Sequence, residues 1–196
     1  MRLLSELKKV AEELQPYRGQ WAVCGGVAAS IYREKARFTD DIDIALIDSP
    51  LVAAKDLSIR IISGMGYKEY FGFVPCPQDA TGQLLALVCA RDQTDERFAG
   101  IDFLLPVQPW IEDGVKIAQS NEIDYGFARL PTVTPESLIV AKLTAISTTP
   151  ERYQDLDDIT EILKSTPIDR AYLKSSIERY QIDLPRELLT LITERK

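Results

Sequence analysis

The chain has 196 residues, 45% apolar and 27% charged, a composition that fits a soluble globular protein with one α/β domain or a catalytic unit plus a small helical appendage. A net charge of −7 and a pI near 4.8 exclude a broad nucleic-acid-coating surface. Histidine is absent, which excludes Ser-His-Asp and Cys-His catalysis and leaves any chemistry to carboxylates and lysine.

Leu3, Leu4, Leu7, Val10, Ala11 and Leu14 recur at helical spacing and predict an opening helix ended by Pro16. This segment mixes apolar and charged residues and does not read as a secretory leader. No apolar run reaches the roughly 18–20 residues that span a bilayer, so a cytoplasmic protein without a membrane partner is expected. Residues 21–24 form a short apolar strand running into Gly25-Gly26, with a helix starting over 27–33. Residues 41–47 alternate strictly and read as a strand, with Asp41 and Asp43 on one face and Ile42 and Ile44 on the other.

A helix over 52–63 is expected to end near Gly64 and Gly66. Strands follow over 67–74 and 83–90, paired across the loop 75–82. A further strand at 101–105, a helix at 110–118 and a short strand at 122–125 complete this part. Thr134 as N-cap and Pro135 at the first helical position open a helix through Ile146. Helices over 153–163, 169–180 and 185–193 come next. The expected fold class is α/β (α+β): a small mixed β-sheet core with flanking helices over 1–130, then a C-terminal helical bundle over 131–196. Cys24, Cys76 and Cys89 are widely spaced and odd in number, so they read as small buried side chains and neither as a disulfide framework nor as a zinc site.

Two carboxylates at i and i+2 on a strand, about 6 Å apart, repel by roughly 3 kcal/mol at an effective dielectric near 20. A solvated polar face explains an isolated pair of this kind. Here Asp102 adds a third acid among Gly100, Ile101, Phe103 and Leu104, where an unpaired charge is costly. If the two strands are neighbours, three acids converge, a geometry suited to two divalent cations roughly 3.5–4 Å apart. Gly25-Gly26 at a strand-to-helix turn lets backbone approach a phosphate, although such a pair is also an ordinary tight turn, and no P-loop sequence follows. Lys142 sits among Leu138, Ile139, Ala141 and Leu143, either as a snorkelling surface lysine or as a cleft cation. Asp155, Asp157 and Asp158 open the next helix, where acids suit the helix dipole.

Val23-Cys24-Gly25-Gly26, Asp41-Ile42-Asp43-Ile44 and Asp102 together resemble the nucleotidyltransferase superfamily. Arg37-Phe38-Thr39-Asp40-Asp41-Ile42-Asp43, Lys142-Leu143-Thr144-Ala145 and Asp155-Leu156-Asp157-Asp158 resemble, more narrowly, the AbiEii-type toxins of type IV toxin–antitoxin systems. The resemblance spans about residues 21–160 and departs from the family pattern at Gln154, where a basic residue is usual. It implies transfer of NMP from an NTP, with Asp41, Asp43 and Asp102 as ligands of Mg (or Mn). Gly25 and Gly26 would then cradle the triphosphate, Arg37 and Thr39 would contact the nucleotide, and Lys142 and Asp155 would join the catalytic set. Arg37 either meets a phosphate or braces its loop. A tRNA acceptor and an antitoxin partner are implied as well, and Lys164, Arg170, Lys174, Arg179 and Arg186 are either an RNA-binding edge or solvated helix faces. Two alternatives remain at this stage: a non-catalytic nucleotide- or protein-binding scaffold, and a small-molecule (antibiotic) nucleotidyltransferase.

Overall fold

The computed structural model describes residues 2–67, 70–73, 87–90 and 99–193. Helix α1 (Arg2–Leu14) buries Leu7, Val10 and Leu14, the stripe expected from their spacing, and a 3-10 turn over Gln15–Tyr17 carries Pro16. Strand β1 (Trp21–Cys24) runs directly into α2 (Gly25–Tyr32), so the helix starts at the glycine pair, two residues earlier than expected. Strand β2 (Asp41–Leu46), α3 (Leu51–Gly64), β3 (Tyr70–Phe73), β4 (Leu87–Ala90), β5 (Gly100–Leu104) and α4 (Pro109–Ala118) follow. The connection 75–82 and Cys76 lie outside the described residues.

The five strands form one mixed sheet in the order β1-β2-β5-β4-β3. Only β2 and β5 run parallel; the other neighbours are antiparallel, including the β3–β4 pair that the sequence anticipated. A separate two-stranded ribbon joins β6 (Glu122–Asp124) to β7 (Arg129–Pro131). Strand β7 was not anticipated: three residues are too few to show an alternation, and Pro131 argues against a strand unless it lies at an edge.

Four helices complete the chain: α5 (Pro135–Thr148), α6 (Tyr153–Ser165), α7 (Arg170–Arg179) and α8 (Arg186–Thr193). The Thr134 hydroxyl accepts from the Ser137 amide at 3.3 Å, so the anticipated cap fixes the start of α5. Val133 N–H donates to the Val23 carbonyl at 3.0 Å, and the Tyr32 hydroxyl donates to the Val133 carbonyl at 2.8 Å. These bonds tie the entry to α5 to both β1 and α2.

The alternation in the strands divides the core into two layers. Ile42, Ile44, Ile101 and Phe103, all fully buried, face α1 and α3. Ala22, Cys24 and Ala45 face the other way and share a cluster with α2, α4 and the four C-terminal helices. Burying each large side chain stabilises the sandwich by roughly 1.5–3 kcal/mol. Among the described residues, no helix is long and apolar enough to cross a membrane.

Candidate active site

The parallel pairing of β2 with β5 sets Asp43 opposite Asp102 and Asp41 opposite Gly100. Residues paired across strands share a face, as do i and i+2 along one strand, so the three acids project toward the helices α2, α4 and α5. Asp43 is pushed up to about 6, chiefly by burial and then by the Asp102 charge. The Gly26 amide opposes this, Asp41 adds to it and Lys142 lowers it. Beside Asp43 on β1, Cys24 is buried, and its thiol is held well above the usual range by burial and by the Asp43 charge, so it is inert.

The glycine pair does something that its sequence context did not reveal. Gly25 has φ +58°, and a Cβ there would overlap the Asp43 carboxylate. Gly26 N–H donates to Asp43 Oδ2 at 3.3 Å, while a Cβ at Gly26 would press on Thr39 Oγ1. The expectation placed a phosphate against this backbone; the structure places a carboxylate there, with both glycines still lining the cleft.

Opposite the acids lies a network of cations centred on Asp158, which is fully buried. Arg37 grips it with two nitrogens: Nε at 2.9 Å from Oδ1 and 3.1 Å from Oδ2, and NH2 at 3.0 Å from Oδ2. Arg33 also donates to Asp158, and Lys142 Nζ lies 2.8 Å from it. Burial alone would raise the Asp158 carboxyl, but the bonds from Arg37, Lys142 and Arg33 hold it below its ordinary value. Lys142 is 6% exposed, so it is not a snorkelling surface lysine; its Nζ meets Asp155 Oδ1 at 2.5 Å, and Arg152 meets the other Asp155 oxygen. Arg37 braces its loop in this structure. Asp158 closes the Asp155–Asp158 run noted in the sequence, where it had no role of its own; the i, i+3 spacing puts Asp155 and Asp158 on one face of α6.

One cleft of about 450 Å³ receives all nine anticipated residues: Gly25, Gly26, Arg37, Thr39, Asp41, Asp43, Asp102, Lys142 and Asp155. Phe38, Gln108, Trp110, Arg152 and Gln154 also line it and were not anticipated as site residues. Among the described residues, no three acid or thiol side chains close into a ready metal cage. The donor set nevertheless suits a hard cation: the side chains at hand are carboxylates, and Asp102 stands opposite Asp43 across the two strands. Magnesium in such sites takes one or two carboxylates and completes its shell with water and phosphate. The basic residues of the C-terminal helices have neighbours on their own surface. Lys164 pairs with Glu161, Lys174 with Glu178 and Arg179 with Asp113, and Arg170 donates to the Leu191 carbonyl.

A family model described as nucleotidyl transferase AbiEii toxin, type IV TA system, matches residues 10–193. A solved structure described as an antigenic nucleotidyltransferase-like protein from Paracoccidioides brasiliensis is similar with a TM-score of 0.55. That match has 14% identity and covers 97% of this chain and 92% of that one, so the likeness is one of fold. No curated protein matches.

Proposed function

The chain belongs to the AbiEii family of nucleotidyl transferases, and from that membership we propose that it moves NMP from an NTP to an acceptor with Mg or Mn as cofactor. RNA, in particular a tRNA end, is the proposed acceptor, with an antitoxin as restraining partner and the cytoplasm as the place of reaction. The observation that carries this reading is the convergence of Asp41, Asp43 and Asp102 on one wall of a cleft whose other wall holds Arg37 and Lys142. Residues 1–130 serve as the catalytic core, and 131–196 as the helical part that supplies the second wall.

Asp41, Asp43 and Asp102 would hold the cations, which when bound neutralise phosphate charge and lower the pKa of a coordinated hydroxyl. The acceptor oxygen attacks the α-phosphorus, the α–β bridging P–O bond breaks, and pyrophosphate leaves with the electron pair. Asp102 would take up the proton that the acceptor hydroxyl loses as the new P–O bond forms. Lys142 Nζ neutralises charge that develops on the leaving pyrophosphate, and Asp155 holds that ammonium in place. Gly25, Gly26 and Thr39 shape the wall against the triphosphate, and Arg37, held by Asp158, lends positive potential beside it.

A second reading, a small cationic acceptor, draws on the lining itself. Among the described residues of the lining, Asp40, Asp41, Asp43, Asp102 and Asp155 outnumber Arg37, Lys142 and Arg152. Each NTP labelled at the α-phosphate, incubated with Mg²⁺ and either total cellular RNA or an aminoglycoside, separates the two. Label on RNA from the wild type, and none from Asp41→Ala/Asp43→Ala, is the expected result. Label on the aminoglycoside alone replaces the RNA reading, and no label on either acceptor rejects transfer to both.

A further inference from the structure

The wall of the cleft beyond Asp102 has a different chemistry. Leu104 lies two residues along β5 from Asp102 and on the same face, roughly 6.5–7 Å further along the strand. Leu138, Ala141 and Ala145 form one stripe along α5 and line the same cleft, and Trp110 closes it from the first turn of α4. Gln108, beside Trp110, brings a neutral amide to this lining; the other amide of the cleft, Gln154, comes from α6 next to Arg152 and Asp155.

The amide has a defined orientation. Trp110 Nε1 donates to Gln108 Oε1 at 2.6 Å. An indole nitrogen is only a donor, so the oxygen must be the atom turned toward it. The Nε2 amino group is thereby left with its hydrogens, and among the described residues it donates to no protein acceptor. Trp110 is itself 3% exposed and packed in the core, which makes it a rigid anchor for this bond.

We propose that Gln108 reads the nucleobase of the incoming nucleotide, donating from Nε2 to a ring carbonyl or ring nitrogen, and that Trp110 fixes the sense of that reading. The proposal rests on the transfer reading of this same cleft. Leu104 and the small side chains of Ala141 and Ala145 leave room for a flat ring and give it apolar contact. Lys142 follows Ala141 on the same helix, and Asp102 precedes Leu104 on the same strand face, so base and phosphates of one molecule span adjacent positions. A cleft of about 450 Å³ is in the ordinary range for a ligand of nucleotide size. A donor at this point favours base edges that present acceptors and disfavours edges that present amino groups.

The test measures dissociation constants by calorimetry for ATP, GTP, CTP and UTP in Mg²⁺, with wild type, Gln108→Leu and Trp110→Phe. Ribose 5-triphosphate, which has no base, reports on the phosphate site alone. The expected spread between best and worst NTP in wild type is about three- to tenfold, the range of one net hydrogen bond, and it collapses in Gln108→Leu. Trp110→Phe narrows it too, because the amide is then free to turn over, and the apo melting temperature checks that this variant is folded. An unchanged spread in Gln108→Leu overturns the proposal, as does an equal loss of affinity for all four NTPs and for ribose 5-triphosphate. Failure of every NTP and of ribose 5-triphosphate to bind overturns the transfer reading and this proposal with it, whereas ribose 5-triphosphate binding with an unchanged base spread removes this proposal alone.

Discussion

Replacing Asp158 with asparagine keeps the side-chain volume and removes one charge where Arg33, Arg37 and Lys142 meet. The carboxylate is fully buried, and the three cations expose only 10%, 17% and 7% of their side chains, so water screens little of the interaction. Removing one partner of a buried pair costs about 3–5 kcal/mol, because the remaining charges stay desolvated. At roughly 2–4 °C per kcal/mol for a chain of this size, the melting temperature falls by about 6–20 °C. Urea unfolding followed by tryptophan fluorescence suits the measurement, since Trp21 and Trp110 are 4% and 3% exposed. The midpoint should move with little change in slope. The pH dependence supplies a second arm. Asp158 is depressed in the folded protein, so its contribution is complete above the unfolded value of about 3.9 and is lost as pH falls through the folded value. The deficit of Asp158→Asn should therefore shrink in acid. A loss under about 1 kcal/mol at neutral pH, or an equal deficit at both ends of the pH range, refutes the reasoning.

NTP with Mg²⁺ should raise the melting temperature by about 5–10 °C at a hundredfold excess over the dissociation constant. Asp43→Ala should abolish the rise, and an equal shift in both proteins counts against the site. Gly25→Ala should destabilise by more than the roughly 1–2 kcal/mol of left-handed strain, since its Cβ meets Asp43; Gly126→Ala, at φ +83° with open space around it, should show the strain alone. Equal losses in thermal melts would reject the close approach at Gly25. Because Asp43 is raised to about 6, the folded protein holds a proton that the unfolded chain has already released, and metal-free stability should decline as pH rises from about 4 to 6. Mn²⁺ should flatten that decline in urea titrations, and a slope indifferent to the metal removes the inference. Lys142→Ala should weaken NTP binding and also cost about 3–5 kcal/mol of stability, because it leaves Asp155 and Asp158 short of a buried cation. An undiminished melting temperature speaks against that pairing.

What was legible in the sequence is what local rules write there. The alternation of Asp41–Leu46 places the acids on one face and the isoleucines on the other, and Thr134-Pro135 marks the start of α5 through a bond that spans three residues. The pairing of β2 with β5 stood there only as a condition, because the two strands are separated by some fifty residues; the structure meets it and sets Asp102 opposite Asp43. The role of Asp158 was not legible, because its three cations come from the C-cap of α2, the following loop and α5, and only tertiary packing brings them to one carboxylate. The same holds for Gly25. A glycine pair after a strand reads as a turn or a phosphate cradle, and nothing local says that the space it leaves belongs to a carboxylate on the next strand. Gln108 carries no signal on its own; the tryptophan two residues later gives its amide a direction only once α4 is folded.

The bond between Arg37 and Asp158 joins residues 121 apart in the chain. Synthesis proceeds from the N-terminus, so β1, β2 and β5, with all three acids, emerge before the residue that anchors Arg37. A nascent chain that stops at residue 150 has the carboxylate wall and lacks the keystone of the cationic one. An activity that needs both walls would then be available only once α6 has docked and Asp158 holds Arg37 and Lys142.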